Sequence, residues 1–253
     1  MRPVNKPVAD RQSLLADLEN SAHVWFLETD GVTDPAVLES CVQLLSADEA
    51  DRYRRFRFDA DRHVFLLSHA MLRQVLSRYA DIDPSDWQFS RSTHGRPEIA
   101  QPDPGMSLRF NLTHTRGLAA CIVTQTLDCG VDAEALVMRR HAMGVAERMF
   151  ADEELQLLRD LEGPDWQDEF ISLWTLREAY CKACGTGLAN SGRHFHFERD
   201  REGGWQIRFT GSSAAASDWH LSVERVVDSH KVAVAVNIAD RSAFSLRTRQ
   251  FSF

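Results

Sequence analysis

Two halves of this sequence resemble each other, and the repeat limits the possible folds more than any other feature. The segment SADEADRYRRF begins at Ser46 and resembles FADEELQLLRD, which begins at Phe150, 104 residues further on. Later, WQFSRSTHGRPEI matches FHFERDREGGWQI at an offset of 108 residues. Matches in the same order at a nearly constant offset indicate a duplicated chain. The 104-residue offset also aligns Ala47 with Ala151 and Leu72 with Leu176.

Each half contains the same series of predicted elements. An opening strand (23–28 in the first half, 127–134 in the second) precedes helices with apolar residues three and four apart. An alternating hairpin segment and two closing strands follow. The pattern predicts an α+β pseudo-dimer of two similar subdomains, spanning residues 1–125 and 126–253, with the active site at their interface. The tail from Arg241 supports no prediction.

Composition excludes several classes of protein. The net charge of −8 argues against a dedicated nucleic-acid binder, which is normally basic. The N-terminus lacks the continuous apolar run of a signal peptide or anchor, and no stretch is long and apolar enough to span a membrane. The five cysteines have no disulfide-framework spacing, which is typical of a reducing compartment. We therefore expect a cytoplasmic protein without nucleic-acid or membrane partners.

Charge is distributed unevenly along the chain. Residues 51–96 contain nine Arg against six Asp, whereas residues 129–170 contain eleven acids against four Arg. Such a chain can hold an anion and a metal ion side by side, or it can present two solvated surfaces of opposite sign.

Carboxylates form the clearest candidate for a metal site. In the predicted strand CGVDAEAL, the period of two places Asp132 and Glu134 on one face, which we expect to point outward. Neighbouring carboxylates repel each other unless a cation lies between them. Glu178 would complete an oxygen site for Mg²⁺. The alternative is an edge strand with solvated acids, as we expect for Glu28 and Asp30 in the first half.

A helix face in WTLREAYCKACGTGL carries further candidates. Trp174, Glu178 and Lys182 recur every four residues and therefore share one face. In the first half, Gln74 and Arg78 stand at the positions of Glu178 and Lys182, so the acid occurs in one copy only. An ordinary surface ion pair between residues four apart is the alternative.

Cationic and hydroxyl side chains of the first half are candidates for phosphate binding. HGRPEI places Arg96 on a tight turn, and FNLTHT places Thr113 and His114 at a strand end. Four arginines cluster near a predicted helix end: Arg52, Arg54, Arg55 and Arg57.

In order, the blocks GRPEI, FNLTH, GVDAE and WTLREAYCKACGTGL resemble the motifs of the Sfp-type 4′-phosphopantetheinyl transferases. The resemblance covers about Leu45 to Leu188, and that family's fold is a single-chain pseudo-dimer. Three positions depart from its pattern. Arg177 and Arg96 replace Lys, and Thr113 replaces Ser; Arg is not a neutral replacement for Lys at a phosphate.

The resemblance implies a holo-acyl-carrier-protein synthase type of enzyme. It would transfer 4′-phosphopantetheine from coenzyme A, with Mg²⁺, to a serine of an acyl or peptidyl carrier protein of fatty acid, polyketide or nonribosomal peptide biosynthesis. Glu178, or a metal-bound water near Glu154, would take the serine proton, and Lys182 would reach the pyrophosphate. The remaining implied roles are metal binding by Asp132, Glu134 and Glu178, and coenzyme binding by Arg52, Arg91, Arg96, Thr113 and His114.

Other functions stay open at this point. The same fold could bind a nucleotide or a carrier protein without catalysis, or hydrolyse diphosphates with the same acids. The covalent duplication favours a monomer, because each half supplies the interface that a second subunit would otherwise make. The native carrier protein and the residues that contact it are not indicated by the sequence.

Overall fold

A computed structural model describes residues 8–92, 95–137, 142–187, 193–211, 218–238 and 243–253. The chain divides into two compact units, the first comprising Met1–Thr126 with Ser242–Phe253 and the second Leu127–Arg241. Each unit contains helices and antiparallel strands, so the predicted α+β class is confirmed.

The first unit packs helices against a four-stranded sheet. The sheet order is β11-β1-β5-β4, in which β11 runs parallel to β1 and the other pairs are antiparallel; β2 and β3 form a separate hairpin. The elements are α1 (Val8–Leu18), β1 (Ser21–Glu28), α2 (Pro35–Gln43), α3 (Ala47–Arg55), α4 (Asp59–Leu76), β2 (Gln88–Arg91), β3 (Pro97–Gln101), β4 (Leu108–Thr115), β5 (Leu118–Gln125) and β11 (Ser245–Gln250).

The second unit repeats this plan with three strands. Its sheet has the order β6-β10-β9, all antiparallel, and β7 pairs with β8 as a hairpin. The elements are β6 (Cys129–Ala135), α5 (Ala142–Met149), α6 (Asp152–Arg159), α7 (Gly163–Cys184), β7 (Phe195–Arg199), β8 (Trp205–Phe209), β9 (Trp219–Val226) and β10 (His230–Asn237). Gly185 ends α7 in the left-handed region at φ 68°, which glycine adopts without a Cβ penalty.

The long helix of each unit lies in the core because its apolar residues recur at helical spacing. In α4, Phe65, Leu67 and Leu72 are buried, and in α7 Leu173 and Leu176 are buried. Each core also includes its sheet and hairpin.

The duplication predicted from the sequence is confirmed by the order and pairing of the elements. Strands β1-β5-β4 of the first unit and β6-β10-β9 of the second have the same order. In the hairpins, Phe89 pairs with Ile99 and Phe197 pairs with Ile207, as the 108-residue offset requires.

A Glu–Arg pair, with its arginine buried, links the short helix to the long helix in the first unit. The Ser46 backbone N–H donates to Glu49 at 2.8 Å, which completes a capping box at the start of α3. The same carboxylate accepts from the guanidinium of Arg73 on α4 at 2.6 Å. Arg73 also donates to the carbonyl of Trp87, just before the hairpin, at 2.5 Å.

The second unit contains the same pair, with a shift of one residue. Glu154 accepts from the Ala151 backbone N–H at 2.9 Å and from Arg177 at 2.5 Å. Ala151 is therefore the N-cap residue that corresponds to Ser46, while Ala47 is the first residue of its helix. The predicted pairing of Ala47 with Ala151 is wrong by one position, because α6 starts one residue later than the offset of the long helices implies.

The C-terminal tail belongs to the first unit. Strand β11 pairs with β1 from Ser21–Ser245 to Phe26–Gln250. Arg247 and Arg249 of this strand also approach Asp17 of the first unit, at 3.4 and 3.3 Å. The predicted division after residue 125 lies one residue from the observed one, but the assignment of the tail to the second half is wrong.

Two observations bear on the expectations from composition. Within the described part of the chain, no helix is long and apolar enough to cross a membrane. All five cysteines are free thiols, four of them buried.

Candidate active site

Strand β6 and helix α7 lie unusually close together in the second unit. A Cβ added to Gly130 would clash with the backbone carbonyl of Ala179 and lie 2.6 Å from the backbone nitrogen of Ala183. Only glycine permits this approach of strand and helix. Because side chains on a strand alternate, Asp132 and Glu134 share the face of Gly130 and therefore point toward α7.

Asp132 is held by a lysine of the helix. The ammonium of Lys182 donates to Asp132 Oδ1 at 2.6 Å and to the Val131 carbonyl at 3.2 Å. The Asp132 side chain is only 9% exposed and that of Lys182 28%. The expectation that Asp132 points outward to solvent is wrong, because α7 covers this face of the strand.

Glu134 is held by an aromatic residue of the same helix. The indole N–H of Trp174 donates to Glu134 Oε1 at 3.0 Å, so Trp174 binds a carboxylate as well as packing against the core. Glu178 is half-buried and lies one turn from both Trp174 and Lys182. The structure thus brings the strand acids against the helix face that the sequence singled out.

The donor chemistry of this strand–helix face fits a magnesium ion, since Mg²⁺ prefers carboxylate oxygens. In the part of the chain that the structure describes, however, no three His, Cys, Asp or Glu side chains lie close enough together to hold a metal ion. In this structure the Lys182 ammonium forms an ion pair with Asp132. Metal binding by Asp132, Glu134 and Glu178 therefore stays a prediction.

Glu154 is part of the scaffold and not a candidate base. Its carboxylate accepts from the Arg177 guanidinium and from the backbone N–H groups of Ala151 and Phe197, and both partners of the Glu–Arg pair are fully buried. Burial raises the pKa of Glu154, while Arg177 and the two N–H groups oppose that rise. These contacts engage the Glu154 carboxylate and argue against a metal-bound water near it as the base, an alternative that stays a prediction. Arg177, which stands where the family pattern has Lys, donates to Glu154 and to the carbonyl of Phe195.

Arg52 and Arg55, both candidates for anion binding, line an open depression of about 410 Å³ on the first unit, together with Asp48 and Phe56. The guanidinium of Arg52 lies over the ring of Phe65, 5.1 Å from its centroid, which favours this position of the side chain. The two arginines are exposed, and Arg54 pairs with Asp51.

The other coenzyme candidates lie on the hairpin and on β4. Arg91 is exposed at the end of β2, and Arg96 follows a turn closed by the hydrogen bond from the Ser92 N–H to the Arg96 carbonyl at 2.8 Å. Thr113 is buried and His114 exposed, because successive strand residues point to opposite faces. His94, predicted in the hairpin turn, lies outside the described residues.

A charged cluster lies beside the acid face, the surface formed by Asp132 and Glu134, and was not predicted from the sequence. Lys231 of β10 donates to the Asp168 carboxylate and to Ser172 Oγ of α7, at 2.6 and 2.5 Å. Arg225 of β9 donates to the same carboxylate at 2.9 Å. Burial alone would raise the pKa of Asp168, but Lys231 and Arg225 lower it below its usual value. The available signal was a lysine inside the apolar strand HKVAVAVN.

Comparison with known proteins places both units in one family. The model described as "4'-phosphopantetheinyl transferase superfamily" matches residues 128–235, which contain the acid face. The model described as "4'-phosphopantetheinyl transferase, N-terminal" matches residues 34–126.

Two relatives agree with the family models at the level of sequence. The 4′-phosphopantetheinyl transferase Sfp of Bacillus subtilis is 27% identical over 78% of this chain and 84% of its own. A solved holo-(acyl-carrier-protein) synthase from Bacillus anthracis aligns with 44% of this chain and 95% of its own, at 22% identity and a TM-score of 0.37. The 4′-phosphopantetheinyl transferase HetI of Nostoc sp. is 33% identical over 68% of this chain and 72% of its own. The protein therefore belongs to the 4′-phosphopantetheinyl transferase superfamily, as an enzyme of the Sfp and HetI type.

Proposed function

We propose that this enzyme transfers 4′-phosphopantetheine from coenzyme A to a serine of an acyl or peptidyl carrier protein, with Mg²⁺. The observation that carries the proposal is the paired surface of β6 and α7. It presents two strand acids and one helix acid within the region that matches the transferase family.

Asp132, Glu134 and Glu178 would hold the metal. A bound Mg²⁺ would neutralise the negative charge that develops on the phosphates during transfer. Lys182 brings a second positive charge to the same surface, where it is already hydrogen-bonded to Asp132. In the proposed site, this ammonium contacts the pyrophosphate of the coenzyme.

Glu178 is the remaining candidate for the general base, since Glu154 is committed to Arg177. The serine oxygen forms a bond to the β-phosphorus, and the bond from that phosphorus to the oxygen of the adenosine phosphate breaks. The serine proton goes to the Glu178 carboxylate, and adenosine 3′,5′-bisphosphate leaves with the electron pair. A half-buried carboxylate is suited to this role, because it is shielded without being isolated from solvent.

The coenzyme's phosphates would be bound by cations of the first unit: Arg52, Arg91 and Arg96, with His114. Of these, Arg52, Arg91 and His114 are exposed and Arg96 is half-buried. Thr113 is buried on the opposite face of β4 from His114, so only one of the two can face a given ligand. We assign this contact to His114 and give Thr113 no direct role.

Mass spectrometry of a carrier protein incubated with coenzyme A, Mg²⁺ and this enzyme tests the proposal. We expect the serine of the carrier to gain the mass of phosphopantetheine. Binding of coenzyme A without that gain would support a non-catalytic module, and hydrolysed coenzyme A would indicate a diphosphate hydrolase. The monomeric state and the cytoplasmic location stay predictions from the sequence.

A further inference from the structure

Lys231 lies at a buried position of a central strand, where charged residues are rare. It lies on β10, the central strand of the second sheet, directly opposite Glu134 on β6 and Arg225 on β9. Its side chain is 8% exposed. Burial of an ammonium is costly unless hydrogen bonds and an opposite charge compensate it. A lysine at this site therefore has a specific partner.

That partner is the first half of helix α7. The ammonium has three acceptors, the Asp168 carbonyl at 2.8 Å, the Asp168 carboxylate at 2.6 Å and Ser172 Oγ at 2.5 Å, which match its three N–H donors. Ser172 in turn donates to the Asp168 carbonyl at 2.8 Å. The lysine thus binds the helix through both its backbone and its side chains.

The contacts of α7 with the sheet form a series along the helix. Lys231 binds Asp168, Trp174 binds Glu134, and Lys182 binds Asp132. From Asp168 to Lys182 the series spans about 21 Å of helix. Against β6 itself the apolar contact is small, with Gly130 facing Ala179 and Ala183 of the helix. Such a small surface does little to fix how far the helix sits along that strand. Directional polar contacts do so.

The described residues of the first unit lack both this contact and the acid face. At the positions that correspond to Asp168 and Ser172, α4 has Val64 and Ser68, both buried. Ser68 donates to the Phe65 carbonyl within its own helix. The central strand β5, which the structure describes in full, reads LAACIVTQ and carries no charged residue. The lysine contact and the acid face therefore occur together in one unit and are absent together from the other.

We propose that Lys231 is a positioning residue for the transfer reaction. By binding Asp168 and Ser172 from the strand next to β6, it sets the position of α7 along the sheet. This brings Trp174, Glu178 and Lys182 opposite Glu134 and Asp132. The inference rests on the proposed function for its catalytic consequence, whereas its structural part depends only on the contacts above.

The test uses Lys231→Met, which keeps an unbranched apolar chain and removes the ammonium. Its matched control is Arg225→Met, which removes the other, more exposed partner of Asp168 and leaves all contacts of Lys231 in place. The first readout is hydrogen exchange of the Trp174 indole N–H by NMR, assigned with Trp174→Phe. The second is the Mg²⁺ concentration that gives half-maximal transfer, with kcat measured separately.

In Lys231→Met we expect the Trp174 indole hydrogen to exchange about tenfold faster, as for the loss of one hydrogen bond. We also expect the half-saturating Mg²⁺ concentration to rise about tenfold, as for other residues that orient metal ligands. Arg225→Met should match the wild type in both. Replacement of a buried ion pair by an apolar residue is often neutral for stability, so the melting temperature does not decide the question.

Unchanged indole exchange in folded Lys231→Met would overturn the proposal, whatever happens to stability. If this variant does not fold, Asp168→Asn keeps a neutral acceptor, and faster indole exchange is expected there too; unchanged exchange in Asp168→Asn would equally overturn it. If the wild-type enzyme transfers nothing to any carrier, the proposed function fails, while the exchange readout still tests the positioning role.

Discussion

The long helices α4 and α7 occupy equivalent places in their units but face their sheets with different chemistry. Both keep a buried arginine, Arg73 or Arg177, paired with the glutamate that caps the preceding helix. Both pack the same kind of apolar core. The duplicated part of the molecule is therefore its scaffold. In each unit the buried arginine of the long helix binds the glutamate of the short helix and a backbone carbonyl at the hairpin.

The face toward the opening strand has diverged. At the positions of Trp174 and Glu178, α4 carries the buried Ala70 and the half-buried Gln74, and the position of Lys182 is taken by Arg78, two residues past the end of α4. The guanidinium of Arg78 lies over the Trp25 ring at 4.5 Å, where Lys182 in the second unit binds a carboxylate. The two copies therefore differ at one face of the long helix, while the Glu–Arg pairs that join the short and long helices occur in both.

The largest expected effect is a loss of turnover when the buried Asp132 of the second unit is replaced, compared with replacement of the exposed Glu28 of the first unit. Asp132→Asn keeps the size of the side chain and one acceptor for Lys182, but it removes a carboxylate from the proposed metal site. We expect turnover to fall about a thousandfold with the fold retained. Carrier loading at saturating Mg²⁺, with circular dichroism as the check of folding, measures this.

The control for Asp132→Asn is Glu28→Gln at the end of β1, which the sequence offset pairs with Asp132 and which is exposed. It should leave turnover unchanged. Loading by Asp132→Asn at the wild-type rate would mean that the acid face is a structural surface and that the chemistry lies elsewhere.

Much of this comparison was available from the sequence, because repeats and strand periodicity are local patterns. The pairing of Phe89 with Ile99 and of Phe197 with Ile207 follows from two aligned hairpin segments. The shared face of Asp132 and Glu134 follows from a period of two. The exposure of Glu28 and Asp30 was also predicted and is confirmed.

The rest depends on contacts between distant segments, which local patterns do not encode. The burial of Asp132 depends on the close approach of α7 at Gly130, 49 residues before Ala179. The partner of Lys231 lies 63 residues away in the chain. The pairing of the tail strand β11 with β1 joins the two ends of the chain, and a polar strand such as SLRTRQ shows no apolar pattern that would reveal it.

A second test concerns the two capping glutamates, whose pKa values move in opposite directions. Burial by itself would raise the pKa of Glu49, but hydrogen bonds from His69 and Ser46 and the charge of Arg73 lower it to about 2. Glu154 is more deeply buried, and burial raises its pKa. A lowered carboxyl pKa stabilises the fold above the unfolded-state pKa, and this stability is lost as the pH falls.

We therefore expect the cost of Glu49→Gln in free energy of unfolding to shrink by roughly 3 kcal/mol as the pH falls from about 5 toward 2. A raised pKa changes stability in the opposite direction, because the folded protein takes up its proton at a higher pH than the unfolded chain does and is stabilised as the pH falls. The cost of Glu154→Gln should grow as the pH falls. For Glu154 the change falls above the unfolded-state pKa of about 4.3, and for Glu49 it falls below that value. Urea unfolding of both variants and the wild type from about pH 7 to pH 2 therefore measures the difference, and parallel pH dependence in the two variants would contradict it.

The smallest expected effect comes from loss of the hydrogen bond from Trp174 to Glu134. Ala70, which stands at the position of Trp174 in the first unit, has no side-chain donor for such a bond. Trp174→Phe keeps an aromatic ring at this place on α7 and removes only the indole donor. Loss of one hydrogen bond to a carboxylate corresponds to about 1.5 kcal/mol, so we expect turnover to fall about tenfold through looser placement of Glu134. Trp166→Phe on the same helix is the matched control, because Trp166 stacks on Phe170 and its indole N–H has no hydrogen-bond partner among the described residues. Carrier loading by the two variants side by side gives the answer: equal losses would show that ring packing, and not the bond to Glu134, accounts for the role of Trp174.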